Sequence, residues 1–299
     1  MTPFSFYHLT GDGAVIKHFI DGDIDYRAAF NLIAVCAFHA GVVVVAFCLE
    51  DTHPHILLYG TYDACLKFKL LFESSYLHHV ARTRSSSAGM NLDLDLIVIS
   101  DNDHLMNAGT YTIVQPTKDG KNIMPYDYRW GTGSMYFRPK HHTSIWCLDE
   151  DGIYQKPVPA KEVGARQLRA ICCSRMTIPG DWLICNGLIL PDNYVDVALY
   201  ESIYRTANCF RTFLSAGRKQ QQEIQQQLAA YRGVAFEDAE AKELCGNCCQ
   251  QLFGFRDIRR LNSQQRLNLA QQLWRQFRLS RRQLATLVRL PYMEICKYT

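Results

Sequence analysis

Between residues 42 and 59 the chain holds a β-branched and aromatic run, VVVVAFCL, and a second run, HPHILLY, separated only by Glu50-Asp51-Thr52. So short a polar connection forces the two runs to fold back on each other as an antiparallel hairpin. Each side of the hairpin is flanked by a helical pattern. Upstream, DYRAAFNLIAVCAFHA (residues 25–40) places Phe30, Ile33, Ala34 and Ala37 on one face and is stopped by Gly41. Downstream, residues 61–83 read as a long helix capped by Thr61, with Cys65, Phe68, Leu71 and Phe72 along one face. SFYHLT (residues 5–10) supplies a strand before the first helix. Residues 94–100 supply another after the second, beyond an SSSAG loop at 85–89. Asp101 or Asn102 then caps a further helix that runs to Gln115 and ends at Pro116. The order β-α-β-β-α-β predicts an α+β fold of ferredoxin-like plan, an antiparallel sheet with two helices on one face, plus one added helix.

After residue 116 the pattern changes. A polar, Gly- and aromatic-rich connector, TKDGKNIMPYDYRWGTG, leads into a turn-rich stretch. From about residue 200 the chain is mostly helical and includes a Gln-rich tract, RKQQQEIQQQLAAY, that reads as an exposed helix. The expected organisation is therefore residues 1–137 as the sheet-bearing domain, 138–240 as a mixed, mostly helical region, and 241–299 as a basic helical region. Net charge is only +3, yet the last 49 residues carry ten Lys and Arg against two acids. Such concentration points to a polyanionic partner, most simply nucleic acid; a basic helical bundle with only a packing role is the alternative. In that tail, residues 263–276 form one helix and Ser280 caps a second, with Leu284, Ala285 and Val288 apolar. Pro291 opens a short third, a pattern similar to a helix-turn-helix with Arg281, Arg282 and Arg289 around it.

The longest apolar run, residues 40–49, is about half the ~20 residues that a membrane-spanning helix needs. The start has no basic segment followed by an apolar core, so no signal peptide is expected. The 12 cysteines follow no disulfide spacing and read as reduced thiols of a cytoplasmic protein. LCGNCC (residues 244–249) has no second close pair to complete a zinc site, and buried thiols are the expectation there.

The hairpin's second run opens with His53 and His55. In a strand, residues two apart share a face, so the two imidazoles can converge on one ion. Tyr111 and Gln115 are four apart on the added helix and share a face too, with His104 seven residues earlier on the same side. The Gln115 carbonyl suits a hard ion such as Mg2+ or Mn2+. The Tyr111 phenol can attack phosphorus.

These residues resemble the motifs of a known family. THPHILLYG is similar to the histidine-hydrophobic-histidine motif of HUH nucleases. YTIVQP (residues 111–116) resembles the tyrosine-bearing helix of single-tyrosine transposases of insertion sequences, and MPYDYRWGTG resembles the Pro-x-Asp-Tyr-x-Trp stretch of REP-associated tyrosine transposases. The resemblance covers residues 1–137. It implies a bacterial, cytoplasmic DNA transposase in which His53, His55 and Gln115 hold a divalent cation, Mg2+ or Mn2+. It also implies that Tyr111 nicks and rejoins single-stranded or hairpin DNA through a 5′-phosphotyrosine. Lys118 and Lys121 would contact the DNA backbone, and the basic tail, with Arg281, Arg282 and Arg289, would bind DNA. A homodimer is one assembly this allows, with Tyr111 serving its own subunit or the other. The chain departs from the family pattern at Pro54, which replaces a bulky aliphatic, and at Thr52, where relatives usually have Asn. A catalytically impaired, domesticated relative acting as a DNA-binding or regulatory protein is the alternative. A ferredoxin-like RNA-binding domain fits less well, because the sheet lacks the paired aromatic motif of that class.

Overall fold

The computed structural model describes residues 3–16, 18–84, 91–118, 123–138, 144–215, 238–277, 279, 281–291 and 294–295. The SSSAG loop, the Gln-rich tract and Lys121 lie outside them. Chain contacts divide the protein into two compact units, residues 1–224 and 225–299.

The first unit is α+β. Its main sheet has four antiparallel strands in the order β2-β3-β1-β4. They are β1 (Ser5–Thr10), β2 (Val43–Leu49), β3 (Pro54–Gly60) and β4 (Asp95–Val98). A four-residue helical turn, α1 (Gly13–Ile16), follows β1. Helix α2 (Asp23–Ala40) joins β1 to β2, α3 (Tyr62–Thr83) joins β3 to β4, and α4 (Asn102–Lys118) follows β4. Local chemistry sets these ends. Gly41 adopts φ 72°, and the N–H groups of Gly41 and Val42 both donate to the Ala37 carbonyl, so α2 stops where only a left-handed residue fits. The Thr61 hydroxyl accepts from the Ala64 N–H at the start of α3.

The strands' period of two sorts side chains to opposite faces. Phe6, Val45, Leu57 and Tyr59 face α4 and share one apolar cluster with its Leu105, Ala108 and Val114. On the other face Phe47 meets Phe30 of α2 with ring centroids 5.3 Å apart, and Tyr7 meets Tyr62 of α3 at 6.2 Å. Helices α2 and α3 therefore cover one face and α4 the other.

Pro116 does not end α4, which continues to Lys118. A proline this close to a helix end removes only the bond its own N–H would have made, and the last turn tolerates that loss better than the interior. At the other end the Asp101 carboxylate accepts from the His104 N–H at 2.8 Å. His104 thus sits in the capping turn, where burial lowers its imidazole below the usual range.

The chain after α4 returns to the outer edge of β2. The Leu49 N–H donates to the Trp130 carbonyl at 2.9 Å, Cys48 bridges Gly131, and the Thr132 hydroxyl is hydrogen-bonded to both backbone groups of Phe47. Lower down, Tyr136 Oη donates to the Val45 carbonyl, and Val44 bridges Val195 in parallel. The β2 edge is thereby covered along its length.

A second, three-stranded antiparallel sheet in the order β5-β6-β7 is made of β5 (Val158–Pro159), β6 (Leu183–Cys185) and β7 (Leu188–Ile189). It lies against the outer side of α2, where Asn31 donates to the Gly187 carbonyl and accepts from the Ile189 N–H. Helix α5 (Ala165–Cys172) closes that small core around Val35, Ile171, Ile184 and Ile189. Helices α6 (Val197–Tyr204) and α7 (Ala207–Ser215) pack on α4; Tyr200 and Tyr204 donate to the carbonyls of Gly109 and Met106.

The second unit contains α8 (Asp238–Phe253), α9 (Ser263–Phe277) and α10 (Arg281–Val288) around a core that includes Leu269, Leu273, Leu284 and Val288. Asn262 and Gln265 exchange side-chain-to-backbone hydrogen bonds at 2.9 and 3.0 Å, a capping box that starts α9. Arg289 adopts φ 56° beyond α10, and the Leu290 N–H reaches back to the Ala285 carbonyl at 3.2 Å. Cys245, Cys248 and Cys249 of LCGNCC are buried in this core, and burial pushes the Cys245 thiol up to about 12. No described helix is long and apolar enough to cross a membrane.

Candidate metal centre and nucleophile

Antiparallel register assembles the site. Thr10 of β1 lies opposite His55 of β3, and His8 lies opposite Leu57, so His8, Thr10 and His55 share the face that α4 covers. The His8 and His55 rings stack with centroids 5.4 Å apart. Tyr111 of α4 stands edge-on to both, 5.3 Å from the His55 ring and 6.1 Å from that of His8. His8 and His55 are fully buried by the sheet and α4, whereas Tyr111 is half-buried.

His53 precedes β3 by one residue, yet its ring lies 4.5 Å from that of His55. Pro54, between them, is the first residue of β3 and pairs with Leu49. A strand start is a position where a missing N–H is tolerated. Alternation turns its ring to the α2/α3 face, away from the histidines. Thr52 contributes directly: its Oγ1 lies 2.8 Å from His53 Nδ1, while Thr10 Oγ1 lies 3.0 Å from His55 Nδ1. When each Nδ1–H donates to its threonine, both imidazoles present Nε2 as the ligating atom. His8 Nε2 is a further neighbour of His55 Nδ1 at 3.3 Å.

A third candidate ligand comes from the hairpin itself. Glu50 and His53 flank the two-residue turn, and the Glu50 N–H donates to the His53 carbonyl at 3.2 Å. The Glu50 carboxylate, His53 and His55 each offer a ligand atom within 4.8 Å of the others, the one such grouping of His, Cys, Asp or Glu among the described residues. Glu50 is buried. Two imidazoles and one carboxylate form a mixed nitrogen and oxygen set that fits a divalent transition ion such as Mn2+ better than an all-oxygen ion such as Mg2+.

Gln115 is buried one turn beyond Tyr111, and its Nε2 donates to the Tyr111 carbonyl at 2.7 Å. That bond turns the amide so that its oxygen is the group left to accept or ligate. Lys118 is the last residue of α4, Arg281 and Arg282 begin α10, and Arg289 is exposed just past it. The structure thus brings His53, His55 and Tyr111 together, and places the arginines in the other unit. Glu50, His8 and Thr10 were not legible from motif spacing. The short turn sets Glu50 across from His53, whereas His8 and Thr10 reach His55 only through the pairing of β1 with β3.

The turn after β1 presses on this cluster. A Cβ at Gly13 would lie 2.9 Å from His53 Nδ1 and 3.0 Å from Thr52 Oγ1. Gly13→Ala is therefore expected to displace the Thr52–His53 pair and weaken Mn2+ binding by about 10–100-fold, the usual range for losing an orienting partner. Isothermal titration calorimetry with Mn2+ measures this, and an unchanged affinity would refute the coupling. Comparison with known proteins finds no matching family model, no matching curated protein and no matching solved structure.

Proposed function

We propose that the chain is a cytoplasmic, metal-dependent enzyme of the single-tyrosine HUH type, a transposase-like endonuclease and strand transferase acting on single-stranded or hairpin DNA. The observation that carries this reading is the convergence of His53, His55 and Glu50 within 4.8 Å, beside Tyr111, whose ring is 5.3 Å from that of His55. The strand order β2-β3-β1-β4, with α2 and α3 on one face, is the order of a ferredoxin-like sheet and supports it. The cysteines among the described residues are free thiols, which agrees with a reducing compartment.

Glu50, His53 and His55 would hold the cation, with the Gln115 amide oxygen as a further donor. A divalent ion held there would polarise a scissile phosphate and stabilise its developing charge. Tyr111 supplies the nucleophile. As its Oη–P bond forms, the phenol gives up its proton, the bond from phosphorus to the 3′-oxygen breaks, and that oxygen takes up a proton as a free 3′-OH. Attack by a second 3′-OH on the phosphotyrosine reverses the exchange, so cutting and joining need no external energy. Buried His8 and Thr10 hold His55 in its tautomer and orientation. The basic second unit, with Arg281, Arg282 and Arg289, would hold duplex or hairpin DNA, and a homodimer would suit paired ends.

Incubating the full chain with labelled single-stranded hairpin DNA and Mn2+ or Mg2+ is expected to give a covalent protein–DNA adduct on a denaturing gel, lost with EDTA and in the His53→Ala and His55→Ala variants. No adduct with any divalent ion would overturn the enzyme reading. The second reading, a DNA-binding or regulatory relative without catalysis, is favoured by one observation: Pro54, between the two histidines, replaces the bulky aliphatic of the family pattern. DNA binding with Mn2+ affinity but no adduct would select it.

A further inference from the structure

Outside the histidine cluster, the described residues enclose a cavity of about 250 Å3 between α4, residues 125–138 and α7. Ile113 of α4 forms part of its floor with Phe210 of α7. Two residues along a helix turn a side chain by about 200°, so Ile113 points away from the face that carries Tyr111. The rim carries Tyr126, which is 44% exposed, and the guanidinium groups of Arg138 and Arg211.

Three features fix this rim. Arg138 lies 6.0 Å over the Tyr126 ring, and its Nη2 donates to the Tyr126 carbonyl at 3.0 Å, which locks a flat cation to a flat ring. A Cβ at Gly133 would lie 2.4 Å from the Pro125 carbonyl oxygen, so the corner leading to Tyr126 is held by close backbone approach. Phe137 adopts φ 53°, a left-handed conformation rarely tolerated by a bulky residue, and its N–H donates to the Glu201 carboxylate. Strain of this kind persists where surrounding contacts over-determine it, and it clusters at ligand clamps.

We infer that this cavity takes one unstacked base of a single-stranded DNA, with Arg138 and Arg211 meeting the flanking phosphates. The inference rests on the reading of the chain as acting on single-stranded DNA. Single-strand binders stack bases on aromatic rings and guanidinium planes and follow the backbone with positive charge. The volume is below the roughly 300–1,000 Å3 of pockets for drug-sized ligands, which suits a single ring system. Because α4 carries both the nucleophile and the cavity floor, a base seated here sets which phosphate reaches Tyr111.

The test is an abasic scan with the full chain. A labelled single-stranded oligonucleotide has its bases replaced one at a time by abasic residues, and binding is read by fluorescence anisotropy. One position is expected to lose about tenfold in affinity. Tyr126→Ala and Arg138→Ala are each expected to weaken the intact oligonucleotide by about tenfold and to flatten the scan, and Arg211→Ala to reduce the salt slope by about one. A flat scan with the wild-type protein overturns the inference without depending on how any variant folds. Running the adduct assay in parallel separates the two ideas. An adduct with a flat scan sinks the base pocket alone, whereas a base-dependent scan without an adduct sinks the nuclease alone. Absence of any binding overturns both.

Discussion

On the proposed mechanism, replacing Tyr111 with Phe is expected to abolish the protein–DNA adduct, a loss of at least about 10³-fold, because the substitution removes the bond-forming atom of the proposed nucleophile. Phe keeps the ring that stands edge-on to His55 and His8 at 5.3 and 6.1 Å, so the packing of α4 on the sheet is conserved. The Glu50, His53 and His55 donors are untouched, and Mn2+ affinity by calorimetry is expected to stay within about twofold of wild type. The pairing of lost adduct with retained metal binding separates a missing nucleophile from a collapsed site. An adduct that survives the substitution would show that another residue attacks.

The second large effect concerns a buried charge network on the other side of the sheet. Asp25, at the start of α2, accepts from Arg84 through Nε at 3.1 Å and Nη2 at 2.5 Å, from His79 at 2.9 Å, and from the Asp21 N–H. Arg84 also donates to the carbonyls of His18 and Phe19, so it ties the segment entering α2 to the end of α3. Arg84→Ala leaves the Asp25 carboxylate, which is 4% exposed, with His79 and the Asp21 N–H but without its cationic partner, and is expected to cost about 3–5 kcal/mol. Urea unfolding at about pH 7 measures it as a lowered midpoint with an unchanged slope.

The same network sets an acid limit. Burial raises the Asp25 carboxyl, but the hydrogen bonds from Asp21, Arg84 and His79 outweigh that and hold it below its usual 3.8. Burial lowers His79 below its usual 6.5 despite its bond to Asp25, so it is held neutral. Both groups bind protons more readily unfolded than folded. Their stabilisation is complete above about pH 6.5, declines first through His79 as pH falls, and declines again through Asp25 below about 3.8. His79→Gln is expected to flatten the stability profile between about pH 7 and 5. A profile with the same slope there would assign the acid limit to other groups.

The strands and helices through α3, apart from the single turn of α1, are legible because each carries its own signal: apolar runs, a left-handed Gly41, a Thr61 cap. The histidine pair was legible for the same reason, since a period of two is local. What escaped was whatever depends on long-range pairing. His8 and Thr10 join His55 only through the β1–β3 register, 45 or more residues apart in sequence. Glu50 looked like turn chemistry, and nothing local marks a carboxylate that turns inward. The β5–β7 sheet escaped because strands of two or three residues show no periodicity. Pro116 misled because its usual meaning, a helix stop, weakens in a last turn.

The cover on β2 has a consequence for the newly made chain. Leu49 leaves the ribosome about 80 residues before Gly131 and Thr132, which at about 5–20 residues per second is a delay of roughly 4–16 s. During that interval β2 and β3 can already pair, but the outer edge of β2 lies open, with its backbone N–H and C=O groups free to recruit another strand. The nascent protein is most prone to intermolecular pairing in this window, and a chaperone holding the hairpin at the ribosome would raise the yield of folded chain more than one acting after release.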